Sequence, residues 1–290
     1  MCLVMTLDFS IMNTTTHDVH SRSEHVSELN VLKDGILADY QRGDIFLRDA
    51  RVTLQFPMML VRHGQTDGNL RRTFQGQIDG PENQLNALGR VQAQEAAKQV
   101  YECLAELSGP ALKEFAVSGR LRILSSPLTR AQDTCRAFTD YFERRSGVAL
   151  KATLENRLTE MFFGAIEGKS TEEIDDEKLR GDTLRFREQD ALVDWQGSGE
   201  SFLDVMYRSK ELLEQLNAEW ADKGVLAVAF AHGTLINALR SVVGDKKLIG
   251  DNGLIAFRND IVENAKPFWL GNSELLAQSV TAHLLERGTH

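Results

Sequence analysis

Basic residues are too few for this 290-residue chain to be a general nucleic-acid binder: 33 Lys and Arg stand against 42 Asp and Glu, a formal net charge of −9. Binding along a phosphate backbone needs a stripe of cations that displaces counterions, and none is available. Any phosphate-sized anion must therefore be caught by a local cationic pocket. Cysteine is also scarce. Cys2, Cys103 and Cys135 are odd in number and scattered, which argues against a disulfide framework and suits reduced thiols in a cytoplasmic protein. No pair of them has metal-ligand spacing. No uninterrupted apolar run is long enough to span a bilayer, so no membrane association is expected. The opening "MCLVMTLDFSIM" lacks a basic stretch and carries Asp8 inside its apolar run, which makes it a poor secretory leader. P-loop, Gly-x-Gly-x-x-Gly and His-Glu-x-x-His motifs are missing too, so no cofactor or metal is expected.

The composition that remains, 42% hydrophobic and 26% charged, is that of an ordinary globular enzyme able to bury a sizeable core. Residues 1–55 read as an N-terminal extension. Their first half, with "NTTTHDVHSRSEH", has no steady periodicity; residues 26–40 then place Val26, Leu29, Leu32, Ile36 and Tyr40 at helical spacing. This extension would serve as a packing element or join two chains in a homodimer.

Residues 56–290 form the principal domain. From Met58 onward strand-like apolar runs alternate with helical patterns, which predicts an α/β fold of three layers, α/β/α, with a mostly parallel central sheet and helices on both faces. Strands are expected over residues 58–62, 121–125, 148–154, 225–231 and 274–280. Helices are expected after the cap Asn86, from Ser126 with Pro127 in its first turn, and over "ESFLDVMYRSKELLEQLNAEWADKG", where Val205, Leu212, Leu216 and Trp220 share a face and Gly224 is the stop. Ser170 and Glu173 fit a reciprocal cap, inside an insertion at residues 168–201 that reads as a lid.

Ligands of open α/β sheets bind beyond the carboxyl ends of the strands. Here the first strand delivers Arg62, His63 and Gly64, "LRILSS" leads to Arg130, and "VLAVAFA" delivers His232 and Gly233. These histidines and arginines would converge near helix N-termini, whose free N–H groups favour an anion. A phosphoryl group is the economical ligand, because Arg presents a planar fork to phosphate oxygens and His can attack phosphorus or donate a hydrogen bond to it. Glu160, in the loop "ENRLTEMFFGAIEG", supplies a carboxyl group to protonate a departing alkoxide, an effect typically worth about 10²- to 10⁴-fold in rate. Glu155 and Glu167 are its rivals in the same loop.

These segments resemble those of the histidine phosphatase superfamily, the phosphoglycerate mutase-like family, over residues 58–280. "RHGQTDGN" is similar to its nucleophile motif, which implies a phosphorylated His63 with Arg62 and Asn69 as phosphate contacts. "FQGQIDGPENQLNALGRVQA" resembles the segment that follows, a loop containing Gln75 and Gly76 that the resemblance assigns to the substrate phosphate. "SSPLTRAQDT" maps a phosphate-clamping arginine onto Arg130, "LTEMFFGAIEG" gives Glu160 the proton-donor role, and "AHGTLI" matches the second-histidine motif at His232. The resemblance implies metal-independent hydrolysis of a small phosphomonoester through a phosphohistidine.

The family also contains mutases. Its phosphoglycerate mutases carry basic residues just after the acid, in a Glu-Arg-His-Tyr-Gly run, where this chain has "EMFFG" with Met161 and Phe162 in place of the Arg and His. That substitution favours water as the acceptor. A mutase using the basic residues of "KLRGDTLRFR", and a catalytically silent binder of phosphorylated ligands, are the two alternatives.

Overall fold

The computed structural model describes residues 51–188, 190–244 and 261–287. The expected helix at 26–40 and the rest of the extension up to residue 50 lie outside them. Residues 51–55 pack against the principal domain: Val52 and Leu54 are buried, Val52 N–H donates to Val242 O, and Asn217 bonds both Thr53 O and Gln55 N.

Five strands form one sheet: β1 (Met58–Arg62), β2 (Leu121–Ser125), β3 (Ala152–Leu154), β4 (Leu226–Ala231) and β5 (Pro267–Trp269). Their order is β3-β2-β4-β1-β5, all parallel except β5, which runs antiparallel along β1. β4 is central and buried along its whole length, which is why it reads as an unbroken apolar run rather than an alternating one.

Eight helices are present among the described residues, beginning with the short α1 (Asp67–Leu70). Next come α2 (Ala87–Ser108), α3 (Ala111–Val117) and α4 (Thr129–Ser146). Then follow α5 (Glu177–Arg187), α6 (Phe202–Trp220), α7 (Gly233–Val242) and α8 (Ser273–Arg287). On one face of the sheet Met59, Val61, Ile123, Val228 and Phe230 join Ala93, Val100, Phe138 and Phe142 of α2 and α4 in one cluster. Met58 and Leu60 alternate to the opposite face, the side on which α7 packs against β1 and α6 against α7. Asn86 caps α2 as expected, its side chain accepting Gly89 N–H.

Four sequence expectations are corrected. The region 274–280 is helical, within α8: Ser273, Ala277 and Thr281 are buried while Leu275, which a strand would put on the same face, is exposed. The fifth strand is instead β5, an edge strand whose opening Pro267 needs no ladder donor. The third strand has only three residues, because 147–151 are still leaving α4 through the left-handed Gly147. α4 starts at Thr129, not Ser126: Ser126 N–H donates to Phe230 O, extending the ladder one residue past β2 before Pro127 turns the chain. α6 ends at Trp220, four residues before Gly224.

Within 168–201 the Ser170–Glu173 reciprocal cap forms as expected, and Asp176 caps α5. Phe186 of α5 stacks with Phe163 and with the fully buried Trp195, which also meets Phe74. None of the helices among the described residues is long and apolar enough to cross a membrane.

Candidate active site

The ladder aligns the chemistry. Arg62 pairs with Ala231 across β1 and β4, and His63 N–H donates to Ala231 O at 3.0 Å, so His63 and His232 leave neighbouring strands side by side with ring centroids 5.2 Å apart. A cavity of about 300 Å³ opens there, and Arg62, His63, Asn69, Gln75, Gly76, Arg130 and Glu160 all line it. His232, its ring 5.2 Å from that of His63, is fully buried beside them. All eight residues singled out from the sequence are thus in one place.

His63 is only 2% exposed, and its Nδ1 lies 2.7 Å from Gly64 O. A carbonyl only accepts, so Nδ1 carries the proton and Nε2 keeps a free lone pair. Burial, reinforced by the Arg130 and Arg62 charges, pushes its pKa well below 6.5, which keeps the ring neutral. Gly64 is required by close approach: a Cβ would overlap the backbone of Gly89 in the first turn of α2. Thr134 of α4 holds Gly64 N–H from the other side at 3.1 Å.

The two arginines are held by backbone carbonyls. Arg62 donates Nη1 to Val262 O (2.6 Å); Arg130, fully buried, donates Nη2 to Gly76 O (2.7 Å) and Nη1 to Ile78 O (3.1 Å). In each, Nε is buried without a protein partner. Burial lowers both pKa values, that of Arg130 to about 10, which leaves Arg130 a cation at neutral pH. Buried charges with unused donors are costly unless an anion completes them.

Gln75 Oε1 accepts from Thr66 Oγ1, and Asn69 Oδ1 accepts from Thr66 N–H and Asn264 Nδ2, which fixes both amides at the cavity edge. Gly76 turns with φ +49°, and a Cβ there would collide with the Glu167 carboxylate. Glu167 itself accepts from Gln77 N–H (2.8 Å) and Phe163 N–H (3.1 Å), binding two loops together. Glu155 forms a two-pronged pair with Arg157. Of the three loop carboxylates, Glu160 alone lines the cavity.

The helix N-termini differ from expectation. Thr234 N–H and Leu235 N–H of α7 donate to Glu160 (3.2 and 3.1 Å), and Thr129 N–H of α4 donates to Asp79 (3.0 Å). Both helix ends therefore hold carboxylates, and the positive charge facing the cavity comes from the arginines. Three contributors escaped the sequence reading. Arg208 of α6 donates to Arg157 O, Glu160 O and Glu200, propping the acid loop from below. Asn264 donates to His63 O (2.9 Å), and Ser126 bonds His232 Nε2 (2.8 Å). Only Ser126 had a signal, its place in "SSPLTR".

Burial and the Arg130 charge also push the His232 pKa well below 6.5. With both histidines depressed in the folded state, the unfolded chain binds protons first as pH falls. Their contribution to stability is full above about pH 6.5 and lost below it, with a slope of up to about 1.4 kcal/mol per pH unit for each ring. Melting temperatures between pH 8 and 5 should fall in phosphate-free buffer, and less steeply in His63→Gln and His232→Gln.

Known proteins resemble this chain in sequence and in fold. The model of the histidine phosphatase superfamily (branch 1) matches residues 58–248. Glucosyl-3-phosphoglycerate phosphatase of Mycobacterium tuberculosis is 35% identical over 197 residues, covering 64% of this chain and 74% of that protein. Mannitol-1-phosphatase of Eimeria tenella is 36% identical over 160 residues, 54% of this chain and 47% of that protein. The native structure of the mycobacterial glucosyl-3-phosphoglycerate phosphatase superposes with a TM-score of 0.54 at 29% identity, over 74% of this chain and 90% of the other. The chain therefore belongs to the histidine phosphatase superfamily (branch 1).

Proposed function

We propose that this chain is a metal-independent phosphatase of small phosphomonoesters that works through a phosphohistidine on His63. The observation that carries the reading is the neutral His63 ring, its Nδ1 held by Gly64 O and its Nε2 left unprotonated beside two buried guanidinium groups. Nε2 attacks phosphorus in line; the N–P bond forms as the ester P–O bond breaks. Arg62, Arg130 and His232 take the charge on the phosphoryl oxygens, with Asn69, Gln75 and the Gly76 loop completing the cradle, and Glu160 gives its proton to the leaving alkoxide. Glu160 then takes a proton from water as the water oxygen attacks phosphorus and the N–P bond breaks. Positioning and charge stabilisation supply most of the acceleration in such transfers.

Water is the acceptor in this reading for two reasons. Met161 is fully buried in the core and offers nothing to a second anionic group. The arginines of α5, which a mutase would need from the lid, bond the lid itself: Arg180 to Ile174 O, Arg185 to Asp182 and Asp190, Arg187 to Thr171. The relatives named above are phosphatases of a sugar-linked and a polyol phosphate, which supports hydrolysis of a polyhydroxy alcohol's ester.

The test is a panel of sugar and polyol phosphates, phosphoglycerates, nucleotides and an aryl phosphate, with and without chelator. Phosphate should be released equally in both conditions, with no exchange between 2- and 3-phosphoglycerate. Exchange faster than hydrolysis would make it a mutase; binding of phosphate without turnover of any ester would make it a silent phospho-ligand receptor.

A further inference from the structure

We infer that Ser126 is a positioning residue that sets the tautomer of His232, so that a neutral His232 presents an N–H to the phosphoryl group. The inference rests on the phosphoryl site proposed above and follows from counting donors and acceptors around one hydroxyl. Ser126 is 0% exposed, and its Oγ lies 2.8 Å from His232 Nε2. The same Oγ accepts the N–H of Leu128 at 3.2 Å, a bond that exists because the chain turns at Pro127 before α4 begins.

A serine hydroxyl has one hydrogen and two lone pairs. If His232 Nε2 carried the ring proton, Oγ would accept from both the ring and Leu128, and its own hydrogen would have no acceptor in a fully buried place. Buried hydroxyl hydrogens are rarely left so. The arrangement that satisfies the hydroxyl and the ring nitrogen facing it is Ser126 O–H donating to His232 Nε2, with the ring proton on Nδ1. That Nδ1 is the ring nitrogen with no protein partner, in a ring 5.2 Å from that of His63.

The consequence is specific to this site. Arg62 and Arg130 already place two positive charges beside His63, and a third on His232 would weaken the nucleophile. A neutral ring whose proton is directed by Ser126 gives the phosphoryl oxygens a donor without that charge. Directing a tautomer through the hydrogen bond at the opposite nitrogen is a general way of aiming an imidazole.

The test is the two-bond nitrogen–proton correlation spectrum of the full-length protein, uniformly labelled with nitrogen-15, in inorganic phosphate, with His232 assigned through His232→Gln. A protonated Nδ1 and bare Nε2 are expected; a proton on Nε2, or on both nitrogens, overturns the inference. Ser126→Ala should weaken inorganic phosphate binding by roughly tenfold, the size of one hydrogen bond. It should also lower kcat/KM for every ester by a similar factor, leaving their ranking unchanged, and Ser126→Thr should recover much of both. Unaltered phosphate affinity in Ser126→Ala overturns the inference. Should Ser126→Ala not fold, the wild-type spectrum alone decides. A wild type that turns over no ester removes the phosphatase reading, yet its spectrum in phosphate still reports the tautomer.

Discussion

His63→Ala is expected to lower kcat on every ester by at least about 10⁴-fold while the protein stays folded, the result of removing the nucleophile in the proposed two-step transfer. The ring makes one side-chain hydrogen bond, to Gly64 O, and sits beside a cavity, so alanine there enlarges existing space rather than opening a void in the apolar core. Wild type quenched during turnover of a phosphorus-labelled ester should carry label that survives alkali and is lost in acid, the behaviour of a phosphoramidate. The variant should carry none. Full activity in His63→Ala would remove the proposed mechanism, and label on another residue would relocate it.

Glu160→Gln is the second large effect, about 10²- to 10⁴-fold on alkyl esters, and its size depends on the leaving group. The amide oxygen of glutamine can still accept from the α7 amides, but it has no proton to give to an alkoxide. A nitrophenolate leaves without one. The variant should therefore release a burst of one nitrophenolate per chain from nitrophenyl phosphate, followed by slow turnover as phosphohistidine waits for an activated water. Equal losses on alkyl and aryl esters without a burst would show that Glu160 shapes the loop and does not transfer the proton. The second outcome has a structural basis too, because Glu160 Oε1 also holds Met161 N–H at 2.9 Å.

The parts of this molecule that were legible in the sequence are those whose partners are local or whose burial is complete. β1 and β4 announced themselves as apolar runs because parallel strands in a covered sheet are buried on both faces, and β2 did so despite its exposed Arg122. The residues at their ends followed from that placement together with the motifs. α8 misled because "ELLAQSV" has an apolar content that suits either periodicity, and only its burial on the sheet, at Ala277 and Thr281, selects the helix. β5 is three residues long, below what any pattern can announce. Arg208 and Asn264 act through backbone carbonyls 48 and 201 positions away, and no local signal encodes such a reach. Helix N-termini were expected to receive the ligand; the carboxylates of Glu160 and Asp79 occupy them because side chains of this chain reach them first.

The strand order has a consequence for how the chain comes to exist. β1 and β2 do not touch; β4 lies between them, pairing Met58 with Ala227 and Leu121 with Leu226. Until residues 226–231 have left the ribosome, no strand bridges those that lead to His63 and Ser126, although β2 can already pair with β3. Pairings across so long a stretch of chain close slowly. During that interval the edges of β1 and β2 that β4 will cover stay open to other chains, so the emergence of β4 both joins the two halves of the site and closes those edges, with His232, Val262 and Asn264 following it.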